Sequence, residues 1–102
     1  MSPKHFLLFY DYVSDYLERR GGLRPAHFRH AQASLERDEF QLGGAYADPA
    51  DGAVLLFKAR SREVAEDFAR CDPYVTGGLV TSWRVREWTT VFGHGALTEV
   101  SP

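Results

Sequence analysis

Two short stretches of the chain carry residue types suited to proton transfer. His27 lies where one helix is predicted to begin, and Asp72 lies where a second helix is predicted to end. Both helices should pack on the same sheet, so the imidazole and the carboxylate can meet as an acid/base pair, in which the carboxylate fixes the tautomer of the ring. Each residue also has a purely structural explanation, because an Asp before a proline often only turns the chain and a histidine at a helix edge often only packs there. His27 and Asp72 are therefore the candidate catalytic residues, with that alternative open.

Further residues are candidates for binding a substrate. Asp48 is the alternative partner for His27, because it follows a predicted strand and precedes a turn, although turn formation explains it equally well. The guanidinium of Arg24 could hold a carboxylate or a phenolate through paired hydrogen bonds, whereas many arginines simply lie at the surface. The tyrosines that could either line an aromatic pocket or belong to the core are Tyr10, Tyr12 and Tyr74.

The other reactive side chains lack a context that would activate them. The chain has four histidines but no HxH or HExxH pattern, and His30 is expected to be turned further toward solvent than His27. The single cysteine, Cys71, can form no internal disulfide and belongs to no CxxC pair. We therefore expect no metal and no cofactor, and proton transfer with elimination or isomerisation needs none.

Size and charge narrow the class of protein. A chain of 102 residues with 44% apolar content fits one compact domain over 1–102, with a core at about 5–88 and a tail at 89–102. The 14 acidic and 12 basic residues are mixed along the chain, so no broad positive field would attract nucleic acid. The apolar run 6–10 is too short to cross a bilayer. We expect a soluble, cytoplasmic protein whose partners include neither nucleic acid nor a membrane.

The apolar pattern predicts an alternation of strands and helices. The β-prone segment 5–12 is followed, after Gly21-Gly22, by an amphipathic helix over about 25–38. The apolar face of that helix is expected to consist of Phe28, Ala31 and Leu35. The order βαββαβ is that of an α+β, ferredoxin-like fold, with an antiparallel sheet and both helices on one face. The later predicted elements are a hairpin of 40–42 with 53–57, a helix between 61 and 73, and a strand at 79–88.

The strands predict a second subunit. Both faces of 5–12 and of 53–57 are apolar, whereas two helices can cover only one face of the sheet. Leaving the other face bare would expose a larger apolar patch than most soluble monomers show. We expect a homodimer with the two sheets face to face. The alternative is that the tail 89–102 folds back over the sheet.

Four segments carry a family resemblance: FLLFY at 6–10, RPAHF at 24–28, Gly43-Gly44, and Asp72-Pro73-Tyr74 followed by Gly77-Gly78. Their order and spacing resemble the YCII-related (YciI-like) family over about 5–88. The resemblance implies a dimeric α+β barrel with a His-Asp active site, here His27 and Asp72. It also implies relatives that include a dehydrochlorinase of chlorinated aromatics, within a wider superfamily of isomerases and monooxygenases.

Three functions of different classes follow from these observations. The first is an enzyme that transfers a proton on a small aromatic or enolisable molecule, with His27 as base or acid, Asp72 orienting it and Arg24 holding an anionic group. The second is a dimer that binds a small molecule, or serves as a scaffold, without chemistry. The third, RNA binding, shares the βαββαβ topology, but the third predicted strand lacks the aromatic pattern of RNA-recognition domains. We therefore favour the enzyme.

Overall fold

A computed structural model describes residues 2–98 of the chain. Four strands and two long helices occur in the predicted order βαββαβ, and a short third helix precedes the last strand. The fold is α+β and ferredoxin-like, as the sequence predicts. In chain order the elements are β1 (Lys4–Tyr12), α1 (Tyr16–Glu36), β2 (Phe40–Ala45), β3 (Gly52–Ala59), α2 (Glu63–Cys71), α3 (Pro73–Thr76) and β4 (Val80–Trp88).

The four strands form one antiparallel sheet in the order β2-β3-β1-β4. In the central strand, Phe6, Leu8 and Tyr10 alternate onto the face that the helices cover, and all three are buried. Their partners across β3 are Phe57, Leu55 and Ala53, which are buried as well. The core therefore lies between this face and α2, whose Ala65, Phe68 and Ala69 are buried against it.

Helix α1 is longer than the sequence pattern predicts. It begins at Tyr16 and not near Pro25, so Gly21, Gly22 and Pro25 all lie inside it. A proline in a helix loses one backbone hydrogen bond and crowds the residue four positions earlier. The group that Pro25 crowds is the backbone carbonyl of Gly21, and the helix continues through both residues. The first turns are also held from outside, because the Tyr16 ring is buried and stacks on Tyr12 at 3.7 Å between centroids.

The second face of the sheet is only partly covered. Leu7, Phe9, Val54 and Leu56 lie on it and are half-buried, and Arg84 extends over the Phe9 ring at 4.6 Å. The start of the tail contacts one end of this face, where the His5 Nδ1 atom lies 2.7 Å from the Thr90 hydroxyl. Among the described tail residues, Thr90 thus lies against that end of the face. None of the helices between residues 2 and 98 is long and apolar enough to cross a membrane.

Candidate active site

The site is built around the carboxylate of Asp72, which is fully buried. This residue ends α2 and caps α3, because its Oδ1 atom accepts the backbone N–H of Tyr74 at 3.0 Å. The Tyr10 hydroxyl, from the middle of β1, donates to the other oxygen at 2.6 Å. His27, from α1, contacts Oδ1 through its Nδ1 atom at 2.7 Å. A buried charge is tolerated only when it is well hydrogen-bonded, and here three donors from three elements supply those bonds.

The ring of His27 is held in one orientation. An ionised carboxylate can only accept hydrogen bonds, so the Nδ1 atom that contacts Asp72 carries a proton. The Tyr74 ring stacks on the imidazole at 3.8 Å between centroids and 4° between planes. In the neutral ring the lone pair is then on Nε2, the nitrogen that Asp72 leaves free. This is the arrangement of a general base, with the carboxylate as the group that orients it.

His27 lies on the wall of a cleft of about 460 Å³ between α1 and the strands β2 and β3. The cleft exists because α1 packs mainly on α3 and β2 and stands away from the centre of the sheet. A volume of this size fits a small organic molecule. Side chains of α1 that line it are Tyr16, Arg20, Arg24, His27, Phe28, Ala31, Gln32 and Leu35. From the rest of the fold come Tyr12, Phe40, Gly43, Gly44, Ala45, Ala53, Leu55 and Tyr74.

Three tyrosines of the site have a raised pKa and therefore keep their protons at physiological pH. Burial, and then the charge of Asp72, raises the pKa of Tyr10 far above its ordinary value. Burial, and then a hydrogen bond with Tyr16, likewise raises the pKa of Tyr12. Burial also raises the pKa of Tyr74 to about 12. These phenols act as hydrogen-bond donors and packing surfaces and not as bases, which leaves His27 as the group suited to accept a proton.

The structure brings most of the predicted site residues together. Arg24 and Tyr74 line the cleft beside His27. Tyr10 is not among the residues that line the cleft, and its hydroxyl donates to Asp72. Asp48 lies in the exposed loop between β2 and β3, away from the cleft. Of the two aspartates considered as partners for His27, Asp72 is the one in contact with it.

Two features of the cleft differ from the sequence prediction. Phe28 and Leu35 were expected to face the core, but they are 53% and 48% exposed and form the cleft wall. The α1 helix stands off the sheet, so its apolar stripe faces the cleft. His30 does not point into solvent either: it is half-buried, and its Nε2 atom donates to the Phe68 carbonyl at 2.9 Å. It ties α1 to α2.

Sequence reasoning missed Arg20 and Tyr16 as lining residues. The signal was present, because Tyr16, Arg20 and Arg24 are spaced by four residues and so share one face of a continuous helix. It was lost because the Gly21-Gly22 pair was interpreted as a break before the helix. Among residues 2–98, no three His, Cys, Asp or Glu side chains are grouped as a metal-ligand set.

Comparisons with known proteins agree with this fold. A family model described as the YCII-related domain matches residues 5–89. Protein YciI of Escherichia coli O6:H1 is 30% identical over 98 residues, which cover 85% of this chain and 98% of that protein. Protein YciI of Shigella flexneri matches with the same values.

Two solved structures show the same architecture. A 5-chloro-2-hydroxyhydroquinone dehydrochlorinase of Burkholderia phenoliruptrix AC1100, in complex with 2,5-dihydroxybenzoquinone, aligns with a TM-score of 0.74 and 21% identity, covering 85% of this chain and 95% of that one. A candidate antibiotic biosynthesis monooxygenase of Nitrosomonas europaea aligns with a TM-score of 0.57 and 13% identity, covering 84% of this chain and 88% of that one. At these identities the alignments show a shared fold.

Proposed function

Because this chain belongs to the YCII-related domain family, we propose that it is an enzyme that transfers a proton on a small organic, aromatic molecule with the His27–Asp72 pair. The observation that carries the proposal is the 2.7 Å contact between a half-buried imidazole on a cleft wall and a fully buried carboxylate. The same contact holds the imidazole so that its second nitrogen, Nε2, stays available on the cleft wall.

The proposed step begins with Nε2 of His27 taking a proton from a C–H or O–H bond of the bound molecule. The electron pair of that bond moves into the molecule and forms a new double bond. In an elimination, a leaving group departs with its own electron pair; in an isomerisation, the imidazolium returns the proton to another atom. Asp72 stabilises the imidazolium as it forms, and the Tyr74 ring keeps the imidazole in place.

The choice of an aromatic substrate rests on two further observations. Aromatic rings of Tyr12, Tyr16, Phe28 and Tyr74 line the cleft, and the Arg24 guanidinium lies 5.0 Å from the centre of the Phe28 ring. A phenolate can therefore stack on these rings while Arg24 holds its charge. The dehydrochlorinase that shares the fold acts, by its name, on a chlorinated hydroquinone. That compound is therefore the first substrate to test.

The test compares wild type with His27→Gln, using chloride release from 5-chloro-2-hydroxyhydroquinone and hydrogen–deuterium exchange on a panel of hydroxylated aromatics. Loss of a general base should slow either reaction by about a hundredfold to ten-thousandfold. His94→Gln is the matched control, because His94 is an exposed tail residue that lies outside the cleft. Circular dichroism checks that each variant folds.

Full activity in His27→Gln would overturn the proposed mechanism. If a compound binds in the cleft but is recovered unchanged and without exchange, non-catalytic binding replaces the enzymatic proposal. The single variant Asp72→Asn should lose activity as His27→Gln does, because a neutral amide stabilises an imidazolium less than a carboxylate does.

A further inference from the structure

Charge is distributed unevenly along the cleft. Arg20 and Arg24 line it one helical turn apart, before His27, whereas Ala31 and Leu35 line it beyond His27. Phe40 and Leu55 add apolar surface from the sheet side. One end of the cleft is therefore cationic, and the other end is uncharged and mainly apolar, with Gln32 as its polar side chain from α1; the imidazole lies between them.

The two guanidiniums are not neutralised by the protein. In the described part of the chain no salt bridge involves Arg20 or Arg24, although the neighbouring Arg19 pairs with Asp15 at 3.6 Å. None of the side chains that line the cleft is an aspartate or a glutamate. Each guanidinium instead lies near an aromatic ring of the same helix, Arg20 at 5.6 Å from Tyr16 and Arg24 at 5.0 Å from Phe28. Two unpaired cations beside an apolar cleft attract an anion.

We infer that the cleft takes an elongated anionic amphiphile, with a carboxylate or a similar oxyanion bound by Arg20 and Arg24 and an apolar substituent packed on Leu35 and Phe40. This inference deepens the proposed function, since it assigns a substrate class to the same cleft. It adds Arg20 as a residue that determines specificity. It also predicts that a molecule longer than a bare ring binds more tightly than the ring alone, because an anion held at Arg24 leaves the apolar end unfilled.

The helix sets the spacing of such a ligand. At about 1.5 Å of rise per residue, His27 lies about 4.5 Å beyond Arg24 along the axis, and Leu35 lies about 12 Å beyond His27. The reacting atom must then be close to the anionic group, within a few bonds of it. The apolar substituent extends in the opposite direction, away from the charge.

The inference is tested by calorimetric binding of 4-hexylbenzoate, 4-hexylbenzamide and benzoate to the full chain. We expect 4-hexylbenzoate to bind at least about tenfold more tightly than the uncharged amide, because a charge-assisted pair is lost in the amide. We expect the affinity for 4-hexylbenzoate to exceed the affinity for benzoate by a larger factor, because each buried methylene increases the affinity about fourfold.

Matched variants test which end of the cleft binds the carboxylate and which end binds the alkyl chain. Arg20→Gln should lower the affinity for 4-hexylbenzoate at least about tenfold and leave the affinity for 4-hexylbenzamide unchanged. Arg29→Gln is the control, because Arg29 is exposed on α1 outside the cleft, and it should change neither affinity. Leu35→Asn should weaken 4-hexylbenzoate but not benzoate, with Leu17→Asn as its control, since Leu17 is 60% exposed and outside the cleft.

Equal binding of the acid and the amide, or equal losses in Arg20→Gln and Arg29→Gln, would overturn the inference. These outcomes are separable from failure of the proposed function, because binding is measured without turnover. If His27→Gln still prefers 4-hexylbenzoate to the amide and also keeps full turnover, the amphiphile site is supported and the proton-transfer mechanism is rejected.

Discussion

Asp72 has a structural role and is also a member of the proposed catalytic pair. It is fully buried, it caps α3, and it accepts hydrogen bonds from a phenol and an imidazole. Removing the Tyr10 hydroxyl leaves Oδ2 without its donor, whereas Oδ1 is contacted by both His27 and the Tyr74 N–H. The hydrogen bonds of the site therefore depend on Tyr10, which does not line the cleft, as well as on His27 and Tyr74, which do.

The Tyr10→Phe variant tests the contribution of one hydrogen bond to Asp72. The change removes only the hydroxyl that donates to Asp72 at 2.6 Å, and it leaves the buried ring in place. An unsatisfied buried acceptor costs about 1–3 kcal/mol, so we expect the free energy of unfolding to fall by that amount. Urea unfolding measures it, with Tyr46→Phe as the control, because Tyr46 is 42% exposed. An equal loss in both variants would contradict the assigned role of Tyr10.

The sequence contains the two members of the reactive pair, but it cannot choose between Asp48 and Asp72. Both aspartates precede a proline, and both suit a turn. The choice depends on which of the two segments the fold brings beside α1, and local sequence patterns do not give the distance between segments that are far apart in the chain. The difference emerges only when Asp72 is found fully buried and Asp48 exposed.

The elements of the fold are more predictable than their boundaries. The order βαββαβ follows from the alternation of apolar segments, whereas the start of α1 was predicted about nine residues too late. Local breaker residues suggested a helix start near Pro25, but packing of Tyr16 on Tyr12 and Tyr74 extends the helix past them. Helix α3 was missed for a related reason, since Pro73 was interpreted as a stop and serves instead as a helix start after the Asp72 cap.

Gly22, inside α1, therefore lowers the free energy of unfolding relative to an alanine at the same position. A Cβ atom at Gly22 would meet nothing within 4 Å. We expect Gly22→Ala to raise the free energy of unfolding by about 0.5–1 kcal/mol, because alanine loses less backbone entropy in a helix. Thermal and urea unfolding measure the gain.

Gly77→Ala is the contrasting change. A Cβ atom there would lie 2.6 Å from a methyl of Leu23 and 2.7 Å from the Pro73 carbonyl oxygen. We expect a loss of about 1–3 kcal/mol from overpacking where α3 meets α1. A stabilised Gly77→Ala, or a destabilised Gly22→Ala, would contradict the helix packing described here.

At the scale of the whole molecule, the second face of the sheet is the surface that bears on assembly. Its centre is apolar, Leu42 at its edge is 72% exposed, and Trp88 is 48% exposed. Tail residues between 89 and 97 lie near His5 and share a cavity with Leu42 and Leu56. The alternation of β1 and β3 predicts this apolar face well, but it could not predict how far the tail would reach.

We expect two chains to associate through this face and give a dimer of twice the 11.5 kDa chain mass. Sedimentation equilibrium at micromolar concentration measures it. Val54→Arg adds a charge to the centre of the face, on the opposite side of β1 from Arg84 and Arg86, and should give monomers. Leu17→Arg, at an exposed position of α1, should not. A monomeric wild type would contradict the expectation.

The hydrogen bonds of Asp72 also determine when the site can exist during folding. They join residues that are 62 and 45 positions apart in the chain, to Tyr10 and to His27 respectively. Contacts of such high sequence separation carry a large loop-closure entropy, which is offset only once the sheet and both helices have docked. A partly folded chain therefore has the histidine and the aspartate but not the pair, and the appearance of the reactive group coincides with the completion of the native topology.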